Sequence, residues 1–188
     1  MEKKIDLRII KTKKNIYDAF ISLMSEKTFE EIKVSEICDR ALINRSTFYS
    51  HFDDKYTLFD SLISDMRQSL LDELDKNTKI HNTKEYYMEV LRILLNELEK
   101  KKDVYRASLM NNRNSIAMDM IYSTLKDDIL KKIINKKSDE IPADFIAYFY
   151  IGAIYSACLE WMKDGFKYSK EDIISYIDKL MPEDIIKE

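Results

Sequence analysis

The chain has 188 residues, 35% of them charged and 45% apolar, with a formal net charge of −3 and an isoelectric point near 5.6. That apolar share is enough for a compact core. Only two Gly and two Pro exclude a turn-rich β architecture, and no Gly precedes Gly152 to build a phosphate-cradling loop.

Cys38 and Cys158 lie far apart, each in an apolar stretch, which points to a reduced, cytoplasmic protein and away from a disulfide-stapled one. No apolar h-region follows the basic N-terminus, so no signal peptide is expected. The longest charge-free stretch, Phe145 to Leu159, is shorter than the roughly 20 residues a bilayer demands, and Gly152 and Ser156 interrupt it. No membrane partner is expected.

In chain order, a first helix is predicted from about Ile5 to Ser25, with Ile9, Ile16, Phe20 and Leu23 on one buried stripe. Residues 1–14 carry Lys3, Lys4, Arg8, Lys11, Lys13 and Lys14 against Glu2 and Asp6, a basic arm suited to phosphates in an otherwise acidic chain. Thr28 to Glu30 form a short break, with Phe29 and Ile32 plugging the base of a three-helix head.

Val34 to Lys55 reads as two short helices joined by a tight turn over Leu42 to Asn44, with Ala41 closing the first and Asn44 capping the second. In the second, Arg45 to Phe52, the apolar residues Phe48 and Phe52 share one face and anchor it. Arg45, Ser46, Thr47, Tyr49, Ser50 and His51 remain outward: a guanidinium, three hydroxyls, a phenol and an imidazole, suited to phosphate oxygens and base edges. The reading is a helix-turn-helix whose second helix enters the major groove of double-stranded DNA.

Asp54 caps a long helix from Lys55 to about Asp75, with Leu58, Leu62, Met66, Leu70 and Leu74 repeating every four residues and Phe59, Ile63 and Leu71 widening the stripe. Lys76 to Asn82 is a polar loop. Further helices are predicted over about 83–100 (Tyr87, Leu91, Leu94, Leu95 and Leu98 inward), 104–110 and 115–135, the last two parted by the polar run Asn111 to Asn114. Another follows Pro142 to Lys163 and stops at Gly165; Ser169 caps a final one, Lys170 to Leu180. The expected fold is all-α with about nine helices: a three-helix helix-turn-helix head over residues 1–54, a connecting helix over 55–75 and an effector and dimerisation body over 76–188.

The stretch AxINRSTFYSHFDDKxxLF, from Ala41 to Phe59, resembles the signature of TetR-family transcriptional regulators, and the resemblance extends back over roughly the first sixty residues. It implies that Thr47, Tyr49 and Lys55 bind the DNA backbone and that Arg45, Ser46 and Ser50 lie where bases are read. Lys14, on the basic arm, joins them as a DNA-binding candidate by its charge. Three departures stand out. Leu42 replaces a frequent Gly, Lys33 replaces a common Thr cap, and Asp53 puts an acid where a neutral or basic residue is usual. An alternative left open is a helical protein-interaction module that has lost DNA binding.

On the last two helices, Gly152, Ala153, Ser156 and Ala157 form a small-residue face and Ile173, Ile174, Ile177 and Leu180 an apolar stripe. They suit either packing within the chain or a four-helix contact between two copies. Reading a palindromic operator favours the homodimer, and TetR-like regulators dimerise through their last two long helices. Tyr86, Tyr105, Arg106, Tyr122, Tyr148, Tyr155 and Trp161 are candidates for an effector pocket in the body. The segment FIAYFYIGAIYSACLEWMKDG resembles a subgroup akin to dihydroxyacetone-kinase operon activators, which implies a small-molecule or a protein effector. His51 and His81 have no ligand spacing, and no CxxC, GxSxG or paired catalytic carboxylates occur. No metal, cofactor or enzymatic activity is expected.

Overall fold

A computed structural model describes residues 7–76, 82–112, 122–123 and 141–181. Among them there are eight helices and no strand: α1 (Leu7–Met24), α2 (Val34–Ala41), α3 (Arg45–Tyr49), α4 (Lys55–Leu74), α5 (Thr83–Lys100), α6 (Lys102–Asn112), α7 (Ala143–Lys163) and α8 (Lys170–Leu180). The helix expected over 115–135 lies outside the described residues except for Tyr122 and Ser123, which are helical. The basic residues before Leu7, most of the loop before Asn82 and that before Ile141 lie outside them too.

The chain forms two compact units. The first joins Met1–Asp65 to Asp103–Met118, and the second joins Met66–Lys102 to Asp119–Glu188. The body expected from residue 76 onward is therefore not one unit, because α6 packs with the N-terminal helices. The division also falls within α4. Leu58, Phe59 and Leu62 are buried in the first unit and Leu74 in the second, while Met66, at the boundary, is 41% exposed.

In the first unit α1 packs on α2, and α2 on α3. The core holds Ile16, Phe20, Leu23, Phe29, Ile32, Ile37, Phe48, Phe52, Leu58 and Phe59, all under a tenth exposed. Three aromatic rings centre it: Phe20, Phe29 and Phe59 lie 5.5–6.0 Å apart in tilted and edge-on pairs. The expected stripe on α1 starts later than its periodicity suggested. Ile9 is 53% exposed, and burial begins at Ile16.

Capping explains how the short elements end. Lys33 has no acceptor side chain to offer α2, so Glu36 reaches back to the Lys33 N–H at 3.0 Å, the reciprocal half of a capping box. Glu36 also pairs with Lys27, and this bond together with the Lys33 N–H holds its carboxyl below the usual glutamate range. Arg40 grips Glu26 bidentately at 2.6 and 2.9 Å, tying α2 to α1. Asn44 stands at the N-cap of α3 but its side chain makes no capping bond, contrary to expectation. Asp54 does cap, accepting the Thr57 N–H at 2.7 Å.

The second unit is built on α5, against which α8 packs. Tyr87, Leu91 and Leu95 are buried as expected, joined by Met88, Val90 and Ile93. Lys84, 8% exposed, reaches Asp178 of α8 at 3.3 Å. Gly165 ends α7 at φ 75°, followed by Phe166 at φ 60°. The reversal is sealed by Trp161, whose indole N–H donates to the Tyr168 carbonyl at 2.9 Å and whose ring meets Phe166 edge-on. Ser169 and Asp172 then form a full capping box for α8.

Leu42 resolves the missing glycine of the turn by accepting the strain. It adopts φ 56°, ψ 45°, the left-handed region, with its side chain 92% exposed. Such a conformation costs a side-chain-bearing residue about 1–2 kcal/mol, and no packing repays it. Leu42→Gly is therefore expected to stabilise the chain, after the entropic penalty of glycine, by about 0.5–1 kcal/mol. In a thermal melt of the full chain this reads as a rise of about 2 °C, and an unchanged or lower midpoint would count against the strain.

Candidate nucleic-acid interface

A helix of five residues does not persist alone in water, so α3 exists because its apolar side is held. Phe48 is fully buried and Phe52 6% exposed, their rings 5.8 Å apart. Phe52 in turn meets Tyr17 of α1 at 6.1 Å. The Tyr17 hydroxyl lies 2.9 Å from both Ser61 and Asp65 of α4, and Lys13 pairs with the same Asp65 at 2.8 Å. The anchor of α3 is thus braced by α1 and α4 together.

The helix is shorter than the expected Arg45 to Phe52. The Ser50 hydroxyl folds back onto the Thr47 carbonyl at 2.7 Å, and the His51 N–H bonds to Phe48 in a tighter turn. What remains outward is one polar face. Arg45, Ser46, Tyr49 and Ser50 are exposed, and Thr47 and His51 are half-buried at its edges. Tyr49 is 51% exposed, its ring edge-on to Phe48 with a centroid separation of 5.5 Å. Asp53 is exposed just beyond the helix. Lys14 is exposed on α1.

Lys55 is differently engaged. Its ammonium donates to the carbonyls of Phe29, Glu30 and Ile32 at 2.9, 2.7 and 3.0 Å and sits 5.0 Å from the centre of the Phe29 ring. Burial in this corner lowers its pKa below the usual lysine value. The residue closes the α1–α2 connection from the α4 side, a role that its position in the motif did not suggest.

The opposite side of that connection is closed by residues no sequence motif marked. The run Asn111–Asn112, expected to break the chain, forms the last turn of α6. Asn112 is 1% exposed; its side-chain oxygen accepts the Phe29 N–H at 2.6 Å and its amide donates to the Met24 carbonyl at 3.0 Å. Asn111 donates to the Ser25 carbonyl at 2.8 Å.

The effector candidates are divided between the two units. Tyr105 and Arg106 belong to the first unit, whereas Tyr86, Tyr122, Tyr148, Tyr155 and Trp161 belong to the second. Tyr122 and Tyr155, both half-buried, lie edge-on at 5.1 Å. Tyr148 is 42% exposed, and Tyr86 packs beside Leu74, Val90 and Ile93. Trp161 seals the α7–α8 reversal through its indole N–H.

The interface candidates divide as well. Ile173 and Ile177 are each 8% exposed within the single chain, so they belong to its own core; Ile174 is half-buried and Leu180 81% exposed. On α7, Ala153, Ser156 and Ala157 are exposed, and a Cβ placed on Gly152 would meet nothing within 4 Å. Phe145 and Phe149, at 63% and 64% exposure, extend this face.

Comparison with known proteins bears on both regions. Residues 16–62 match a family described as bacterial regulatory proteins, tetR family, and residues 85–183 match one described as a transcriptional regulator C-terminal region. The chain is 28% identical over 179 residues to the HTH-type dhaKLM operon transcriptional activator DhaS of Lactococcus lactis, covering 90% of this chain and 88% of that protein. It is 32% identical over 74 residues to the HTH-type transcriptional regulator YxbF of Bacillus subtilis, a match spanning 39% of this chain and 20% of that one. A solved TetR transcriptional regulator from Streptococcus agalactiae superposes with a TM-score of 0.66 at 27% identity, over 93% of this chain and 96% of that one. The fold alone is shared with FadR of Bacillus subtilis, solved with stearoyl-CoA, at a TM-score of 0.68 and 18% identity, over 89% and 96%.

Lys55 and Lys14 should separate in experiment. Lys55→Met keeps the stem but removes three donors from the corner, and is expected to lower stability by about 1–3 kcal/mol. Lys14→Ala is expected to leave the melting midpoint unchanged while flattening the salt dependence of DNA binding by about one counterion. Thermal melts and anisotropy titrations over a salt series check both; a wild-type midpoint for Lys55→Met would refute its part in the corner.

Proposed function

Because the chain belongs to the TetR family of bacterial transcriptional regulators, we propose that it acts in the cytoplasm as a homodimer that reads a palindromic operator with the outward face of α3. The observation that carries this is the division of labour on that helix. Phe48 on the helix and Phe52 just beyond it are buried, and Arg45, Ser46, Tyr49 and Ser50 are left to solvent. Arg45 is the base-reading candidate, since a guanidinium bonds bidentately to guanine. Thr47, Tyr49 and Lys14 supply phosphate contacts, with Ser46, Ser50 and His51 completing the surface. Lys55 acts from behind by fixing the corner on which α2 begins.

A single short helix reads few bases, and two copies related by a two-fold axis read two half-sites about one helical turn apart. The pairing surface we assign is the exposed face of α7, Phe145, Phe149, Ala153, Ser156 and Ala157, continued by Leu180 of α8. Only 24% of the apolar window of α7 is buried within the chain, and the open space at Gly152 suits close approach of a second helix. The second unit is the seat of the effector, with the Tyr122–Tyr155 pair as its first candidate lining. To control DNA binding, the effector must bind two conformations unequally.

Footprinting on DNA flanking its own gene, with purified protein and no additive, is expected to protect a palindromic site. Arg45→Ala is expected to weaken that site by about 1–3 kcal/mol while sparing unrelated sequences. Absence of any protected site at low salt would favour the protein-interaction alternative, which exposed Asp53 also motivates.

The pairing surface has its own test. Phe149→Glu, which puts a charge on the assigned face, is expected to yield monomers in sedimentation and to weaken the operator complex. A dimer of unchanged stability would move the interface elsewhere.

A further inference from the structure

The corner between α1 and α2 is held from two sides by side chains distant in sequence. Phe29, fully buried, has its N–H accepted by Asn112 at 2.6 Å and its carbonyl bonded by Lys55 at 2.9 Å. Asn112 also supplies the donor for the Met24 carbonyl at the end of α1, and Asn111 does so for Ser25. Carbonyls at a helix C-terminus have no partner within the helix, so α6 serves as an external cap for α1. The amide of Asn112 is used fully: a further donation at 2.8 Å goes to Ser108 of its own helix, which fixes the rotamer.

This corner sets where α2 starts. Lys55 also bonds Ile32, the residue before the Lys33 cap, and α3 packs on α2. The position of α3 on its core therefore depends on a chain of bonds that begins on α6. We propose that Asn112, 83 residues from Phe29 in sequence, is a positioning residue for DNA reading, and that the seating of α6 tunes how well α3 is presented. The inference rests on the DNA-binding function proposed above.

The test compares Asn112→Leu, close in volume but without hydrogen bonds, with Leu95→Ala, which opens the core of the second unit far from this corner. Both destabilise, and both are assayed well below their melting midpoints. Asn112→Leu is expected to bind the operator about tenfold more weakly and to show at least tenfold faster hydrogen exchange confined to residues 27–32. Leu95→Ala is expected to bind as wild type. Should Asn112→Leu not fold, Asn112→Asp keeps the acceptor for Phe29 and is expected to bind with an intermediate loss.

Operator affinity of the Asn112 variants within twofold of wild type, or an equal loss in Leu95→Ala, would overturn the positioning role. Wild-type protein that binds no DNA would overturn this inference along with the proposed function. Wild-type binding with unaffected Asn112 variants overturns only the inference.

Discussion

The first unit closes on the backbone of one residue. Phe29 has its ring among Phe20, Phe59 and Tyr56, its N–H on Asn112 and its carbonyl on Lys55. A connection between two helices usually carries backbone groups that water must satisfy. Here several are satisfied by side chains of α4 and α6, so Phe29 and Ile32 can be buried within the connection. Everything that presents α3 stands on it: the half capping box of α2, the pair Arg40–Glu26, and the packing of α2 against α3.

The recognition helix itself has little stability of its own. Its five residues gain no side-chain cap from Asn44, and its preceding turn is strained at Leu42. Two phenylalanines hold it, each worth on the order of 1.5–3 kcal/mol when fully buried. Concentrating the hold on Phe48 and Phe52 leaves the other positions free to vary in chemistry without disturbing the fold. On the proposed reading, that separation lets one scaffold carry many DNA sequences as targets, because the residues that specify are not the residues that support.

Much of this was legible before any coordinates. Residues Ile16, Phe20 and Leu23 on α1, and Tyr87, Leu91 and Leu95 on α5, announce buried stripes by spacing alone, and Ser169, Gly165 and Asp54 mark helix ends by their chemistry. The outward residues of α3 follow from the four-residue interval between Phe48 and Phe52. What spacing could not show is where partners are missing. Ile9 continues the stripe of α1, yet finds no core beneath it; Ile173 and Ile177 form a stripe as apolar as any interface, yet are used within the chain. Asn111 and Asn112 looked like a break because polar pairs usually are one. Their helical turn is explained only by carbonyls more than eighty positions earlier, and no local pattern carries that information.

The face of α7 bearing Phe145 and Phe149 has a consequence for abundance. If two copies meet through it as proposed, dimers form in proportion to the square of the free monomer, and the occupied fraction of a promoter would rise more steeply than the protein level itself. Dilution would leave solitary subunits with aromatic rings in water, the kind of surface that proteases and chaperones recognise. Pairing would then sharpen the response to expression level and also select which molecules survive.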